Sequence, residues 1–177
     1  MPTPRRRSRA LVRDESGQGV VEFALILPVL LLILVGILEF GSIYSKVISM
    51  RQGVREGGRQ ASVGKFGNTA CPTIGSPNTA AQNTTQLTCF VKDQAGVGNS
   101  VSVRVAFAPT YAAGNGVLVC AVYPLQSLTG LFTPFLSGRY AKTKSQFRIE
   151  TIPETPLNGL VAGGDSDPTG ASWSWCT

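Results

Sequence analysis

Four cysteines, Cys71, Cys89, Cys120 and Cys176, are the side chains of this 177-residue sequence with the most definite chemistry. None stands in a C-x-x-C pair and the chain has no histidine, so a zinc site lacks its usual donors. The alternative is oxidation to two disulfides, which places the cysteines in an oxidising compartment. Four cysteines allow three pairings. We favour Cys71 with Cys89, tying a polar loop to the helix after it, and Cys120 with Cys176, fastening a Trp-rich tail to a central strand.

Catalysis has little to work with. Without histidine there is no Ser-His or Cys-His nucleophile, and beyond residue 64 the carboxylates are Asp93, Glu150, Glu154, Asp165 and Asp167, with no spacing that pairs them. No enzyme activity and no cofactor are expected. Two near-motifs fail on inspection. Gly58 to Lys65 has the look of a phosphate-binding loop, but its glycines are one residue too far apart and Phe66 stands where a magnesium-binding hydroxyl is needed. Asp165, Asp167 and Thr169 before Gly170 begin like a calcium loop, yet Cys176 occupies the place of the closing glutamate.

The elements that must carry these residues begin with charge and hydropathy. The net charge is +6, with 16 Lys and Arg against 10 Asp and Glu, but charged residues make up only 15% of a chain whose mean hydropathy is +0.13. That is too apolar for a disordered chain. Arg5, Arg6, Arg7, Arg9 and Arg13 lie together ahead of the apolar run Phe23 to Leu38, which contains no charge. With Val20 and Val21 the run reaches the roughly 20 residues that a spanning helix needs. The arginines then orient a membrane span, and no aromatic residues are interleaved with them as nucleic-acid stacking would require. Because the cysteines belong on the oxidising side, the N-terminus is expected in the cytoplasm and the remainder outside.

Beyond the span the helical period continues. Ile43, Val47, Met50, Val54 and Ala61 form an apolar stripe, and Arg51, Arg55 and Arg59 lie on a solvated face. One helix from about Val20 to Val63, on the order of 65 Å long at 1.5 Å per residue, is predicted. Gly53, Gly57 and Gly58 weaken that helix and Gly64 ends it. The boundaries are a basic leader over 1–17, a long helix over 18–64 with its transmembrane half at about 20–40, and an extracytoplasmic α+β domain over 65–177.

Within that domain, Asn78 to Ala95 reads as a helix with Leu87, Phe90, Val91 and Ala95 on one face, capped by Gly96. Val101, Val103, Val105 and Phe107 alternate with more polar residues as in a half-buried strand, which Pro109 ends. Val117 to Tyr123 is apolar throughout, as a strand covered on both faces would be. Tyr140 to Thr151 alternates again, with Ala141, Thr143, Ser145, Phe147 and Ile149 inward. Between these strands Leu125, Leu128, Leu131, Phe132 and Phe135 recur at helical spacing, which predicts a short amphipathic helix on the sheet. The tail from Pro153 reads as a strap pinned at its end, and Trp173, Trp175 and Tyr140 could line a binding surface.

The most specific pattern is Gly17-Gln18-Gly19-Val20-Val21-Glu22-Phe23. A short basic leader ends in a glycine, four residues intervene, and a glutamate and an aromatic residue open a long apolar helix. This resembles the prepilin peptidase site of type IV pilins in the Flp, or tight adherence, branch, and the stretch VVEFALILPVLLLILVGILEFG with a later FRIE segment looks like the TadE-like pseudopilins of that branch. The resemblance implies a pilin-like fold, a long N-terminal transmembrane helix packed on a small antiparallel sheet. It implies cleavage between Gly17 and Gln18, with Glu22 and Phe23 serving subunit assembly. It further implies a minor pseudopilin of the inner membrane that helps initiate or regulate assembly of an adhesive pilus. Its partners would be the prepilin peptidase, the major Flp pilin, a second pseudopilin and the platform membrane proteins. The competing expectation is an uncleaved single-span anchor whose outer domain binds a ligand or cell-wall component.

Overall fold

The computed structural model describes residues 16–64, 71, 80–151 and 162–177. The basic leader before Ser16, Lys65 and Phe66 of the phosphate-loop look-alike, and the start of the tail at Pro153 lie outside the described residues. The chain divides into two compact units, the first ending at Leu38 and the second comprising Glu39–Thr177.

Helix α1 runs over Ser16–Ser62. It begins four residues before the expected start, because nothing in Ser16–Gly19 breaks a helix beyond the ordinary weakness of two glycines. Pro28 lies inside it and withholds one backbone donor. Up to Leu38 most of its large apolar side chains are exposed, Leu25 at 72% and Phe23 at 60%, with Leu27 and Val35 half-buried. This is a helix long and apolar enough to cross a membrane, the one of its kind among the described residues.

From Glu39 onward the same helix is packed. Met50, Val54 and Ala61 are fully buried, the inner part of the stripe read from the sequence, while Ile43 and Val47 are half-buried. The glycines between them are contact points rather than weaknesses. A Cβ on Gly53 would lie 2.7 Å from the Val91 carbonyl oxygen and 2.8 Å from the Ala95 nitrogen; one on Gly57 would collide with the Val91 side chain, and one on Gly58 with the Phe147 ring. Helix α2, Ala80–Ala95, therefore approaches α1 at backbone distance, and Gly96 at φ +61° turns the chain away from its end.

The sheet is antiparallel and four-stranded. Strands β1 (Ser102–Ala108), β2 (Gly116–Pro124), β3 (Tyr140–Arg148) and β4 (Ala162–Gly164) are arranged in the order β3-β2-β1-β4. On one face Val103, Val105 and Phe107 of β1 and Val117, Val119 and Ala121 of β2 join Met50, Val54, Leu87 and Val91 in the main core. On the other face Cys120 and Val122 pack with Trp173 and Cys176. Strand β2 is thus covered on both sides, as its unbroken apolar run requires. The edge strand β3 keeps its inward side chains only half-buried, and full burial is reached at Ile149 just beyond it. Phe90 of α2 is likewise half-buried.

The tail forms an additional edge strand. Gly163 and Gly164 pair with Val105 and Arg104, and a Cβ on Gly163 would meet the Thr84 methyl at 2.6 Å, so a bare backbone is what fits between β1 and α2. Asp165 then accepts from the Val103 amide at 2.8 Å and from Lys92 Nζ at 2.8 Å. The disulfides join Cys71 to Cys89 and Cys120 to Cys176, the favoured pairs.

The expected amphipathic helix between β2 and β3 is a correction. Only Thr133–Leu136, helix α3, is helical, and Leu128, Leu131 and Phe135 are 66%, 57% and 75% exposed instead of covering the sheet. The reason is Glu39, whose buried carboxylate accepts from the Leu128 amide at 2.6 Å and from the Thr129 amide and hydroxyl at 3.1 and 3.2 Å. The contact holds residues 127–129 against α1, so the one helical turn forms after it, at Thr133, and does not lie over the sheet.

Candidate functional site

The residues of the Gly17 to Phe23 junction lie in the first two turns of α1. A peptidase needs an extended backbone at its bond; here Gly17 and Gln18 are helical. The glycines at 17 and 19 lower the cost of unwinding this stretch of helix. Nothing lies within 4 Å of a Cβ at either glycine, and Gly17, Gln18, Glu22 and Phe23 are all exposed. Among the described residues, nothing crowds the junction.

The helical period puts Gln18 and Glu22 one turn apart on one face. Gln18 Nε2 donates to Glu22 Oε1 at 3.1 Å. Gly17, Gln18, Glu22 and Phe23 are therefore brought together by the helix alone, while the four cysteines lie elsewhere, Cys71–Cys89 at α2 and Cys120–Cys176 on the outer face of β2.

The residues of the competing binding surface are engaged internally. Trp173 is buried and donates its indole N–H to the Asp165 carbonyl at 3.0 Å, Lys142 Nζ lies 5.4 Å from the Trp175 ring centre, and the Tyr140 hydroxyl donates to the Pro168 carbonyl at 3.1 Å. Asp167 accepts from the Thr169 amide and hydroxyl and from the Trp173 amide. Its carboxyl, partly desolvated, is nevertheless held below the usual aspartate range by those bonds and by Lys142. The calcium-like sequence is a self-capped turn. Among the described residues no group of three His, Cys, Asp or Glu side chains could hold a metal ion.

Arg51, Arg55 and Arg59 are exposed as expected, and Arg59 pairs with Glu56. Hydrogen bonds from the Arg59 side chain, outweighing partial desolvation, lower the Glu56 carboxyl. Arg55, Glu56 and Arg59 also border a shallow open groove with Phe90, Gln94 and Phe147. It carries no constellation of reactive groups.

What sequence reasoning missed is Glu39. An acidic residue directly after an apolar run was a visible signal, but its partners come from 89 and 90 residues away.

The stretch of α1 that starts at this junction is decisive. Residues 17–59 match the sequence model of the family described as TadE-like protein. Over this helix the chain is similar to TadE-like proteins. The match covers 43 residues (59 − 17 + 1) of the 177, begins at Gly17 and stops three residues before the helix ends. The TadE-like helix supports involvement in a Tad/Flp pilus system. No curated protein and no solved structure matches the chain at a significant level. The sheet domain thus has to be read from its own physics.

Proposed function

We propose that this chain is a minor pseudopilin of a Tad/Flp pilus system, held in the inner membrane by the first half of α1 and processed by a prepilin peptidase between Gly17 and Gln18. The observation that carries the reading is the coincidence of the TadE-like match with an exposed junction at Gly17 and a Gln18–Glu22 contact one turn on. Two disulfides in the Glu39–Thr177 unit favour an extracytoplasmic domain and a cytoplasmic N-terminus. The internal engagement of Trp173, Trp175 and Tyr140 weighs against the uncleaved ligand-binding anchor.

Cleavage after Gly17 would turn the Gln18 nitrogen into a positive α-amino group on the helix face that Glu22 shares. In an apolar surrounding a carboxylate costs on the order of 3 kcal/mol at the bilayer centre and less near its edge. An α-amino group, its own or that of a neighbouring subunit, offsets that cost and sets the register in which helices assemble. The partners of this step are the major Flp pilin, a second pseudopilin and the platform proteins, with the fibre serving adhesion.

Intact-mass measurement of the membrane-bound chain beside an active prepilin peptidase tests processing. The expected mature chain starts at Gln18, and Gly17→Leu blocks cleavage without blocking insertion. Full-length protein alone, or a start beyond residue 40, would refute it. For assembly, Glu22→Val is expected to insert and form both disulfides yet lose crosslinking to the other pilus subunits; undiminished crosslinking would reduce Glu22 to a helix-start residue.

A further inference from the structure

Glu39 is the first residue after the apolar unit and its carboxylate is buried by the loop of residues 127–129. That contact fixes the segment from Ser127 to Leu136 beside the start of the packed half of α1. Phe132 reinforces it, its ring 5.7 Å from that of Phe40. The segment then presents Leu128, Leu131 and Phe135 outward, each more than half exposed, next to Phe40 and Tyr44, which are 57% and 64% exposed. Five large apolar or aromatic side chains are therefore gathered where the apolar run ends, with the exposed Arg139 at the loop's far side.

We propose that this loop is a lipid-contacting wedge, with Leu128, Leu131 and Phe135 seated in the headgroup and acyl boundary of the same bilayer that α1 spans. The inference rests on the spanning role of residues 20–38. The occupant follows from continuity: Leu38 is bonded to Glu39, so whatever surrounds Leu38 meets the loop within one helical turn, about 5 Å. Apolar side chains at that level bury roughly 5–10 Å into the boundary, aromatic residues such as Phe40 and Tyr44 favour the same zone, and Arg139 suits anionic headgroups. The wedge explains why these residues need no protein cover. It also gives Glu39 a purpose, since its three hydrogen bonds tie the loop to the start of the packed half of α1.

Photocrosslinking of the full chain in phosphatidylethanolamine and phosphatidylglycerol vesicles tests this. Benzoylphenylalanine is placed singly at Phe135, at Ile33 within the span, and at Ala113. Ala113 is exposed in the β1–β2 turn, at the end of the sheet where the Glu150 amide donates to the Ser62 carbonyl. Ser62 is 23 residues (62 − 39) beyond Glu39, about 35 Å along the helix. Phospholipid adducts are expected at Phe135 and Ile33, with their loss at Ala113. A lipid adduct at Ile33 without one at Phe135, a protein–protein adduct at Phe135 in its place, or equal lipid labelling at Ala113 would overturn the wedge. Absence of lipid labelling at Ile33 would remove the spanning role and the wedge together.

Discussion

The two halves of α1 have the same secondary structure and opposite surroundings. Before Glu39 the helix carries exposed leucines, isoleucines and valines with glycines at 17 and 19 that touch nothing; after it the helix carries Met50, Val54 and Ala61 with glycines at 53, 57 and 58 that touch everything near them. The first half is specified by apolar composition over a sufficient length, so the identity of its neighbours in the fold hardly matters. The second is specified by fit, where α2 and Phe147 come to rest against the bare backbone of the helix. Glycine therefore has two meanings on one helix, an easily unwound turn at one end and a docking surface at the other.

Substituting those glycines is the strongest way to break the comparison. Gly53→Leu forces side-chain atoms against the Val91 and Ala95 backbone, which cannot retreat without moving α2. Overpacking of this kind costs about 3 kcal/mol, against at most about 1 kcal/mol gained in helix propensity. Chemical denaturation of the detergent-solubilised chain should show the domain strongly destabilised by Gly53→Leu and unaltered by Gly19→Leu. Equal effects would mean that the halves do not differ in packing.

The two glutamates give a smaller contrast. Glu39→Gln keeps the shape of the side chain but replaces a charged acceptor by a neutral one, which weakens its hydrogen bonds to the loop. Faster amide hydrogen exchange at Leu128 and Thr129 is the readout. Glu22→Gln, whose partner is the exposed Gln18, should leave the exchange of the whole domain unchanged.

The least effect is expected from acid. The folded state holds the Asp167 carboxyl below its ordinary range, so it binds fewer protons there than the unfolded chain. Its contribution is then fully present above the usual aspartate range and is lost as pH falls through the lowered folded value. Stability of the domain should decline slightly on that acid side, and Asp167→Asn should flatten the decline. A span without titratable groups between Phe23 and Leu38 should show no such slope.

Strands β1 and β2, helix α2 and the span were legible because each is written in a local period: alternation at Val101 to Phe107, an unbroken run at Val117 to Tyr123, a 3.6-residue stripe at Leu87 to Ala95. The Gln18–Glu22 contact follows from the same kind of rule, the two residues being one helical turn apart. The segment from Leu125 to Phe135 has an equally good period and misled, since the tertiary structure bound its amides to Glu39 and left its apolar residues outside. Strand β4 was invisible because a strand of Ala162, Gly163 and Gly164 has no side-chain pattern and exists only through pairing with β1.

The sequence by itself determined which residues form a helix apolar enough to cross a membrane, which strands alternate and where the helix carries its stripe, because these depend on the side chain and its near neighbours in the chain. Only the tertiary structure decided that Gly53, Gly57 and Gly58 are contact points, that Glu39 is buried, and that Leu128, Leu131 and Phe135 face outward. Each of those outcomes depends on a partner at least 34 residues away, the separation of Gly57 from Val91 (91 − 57), and such a partner leaves no trace in the local pattern.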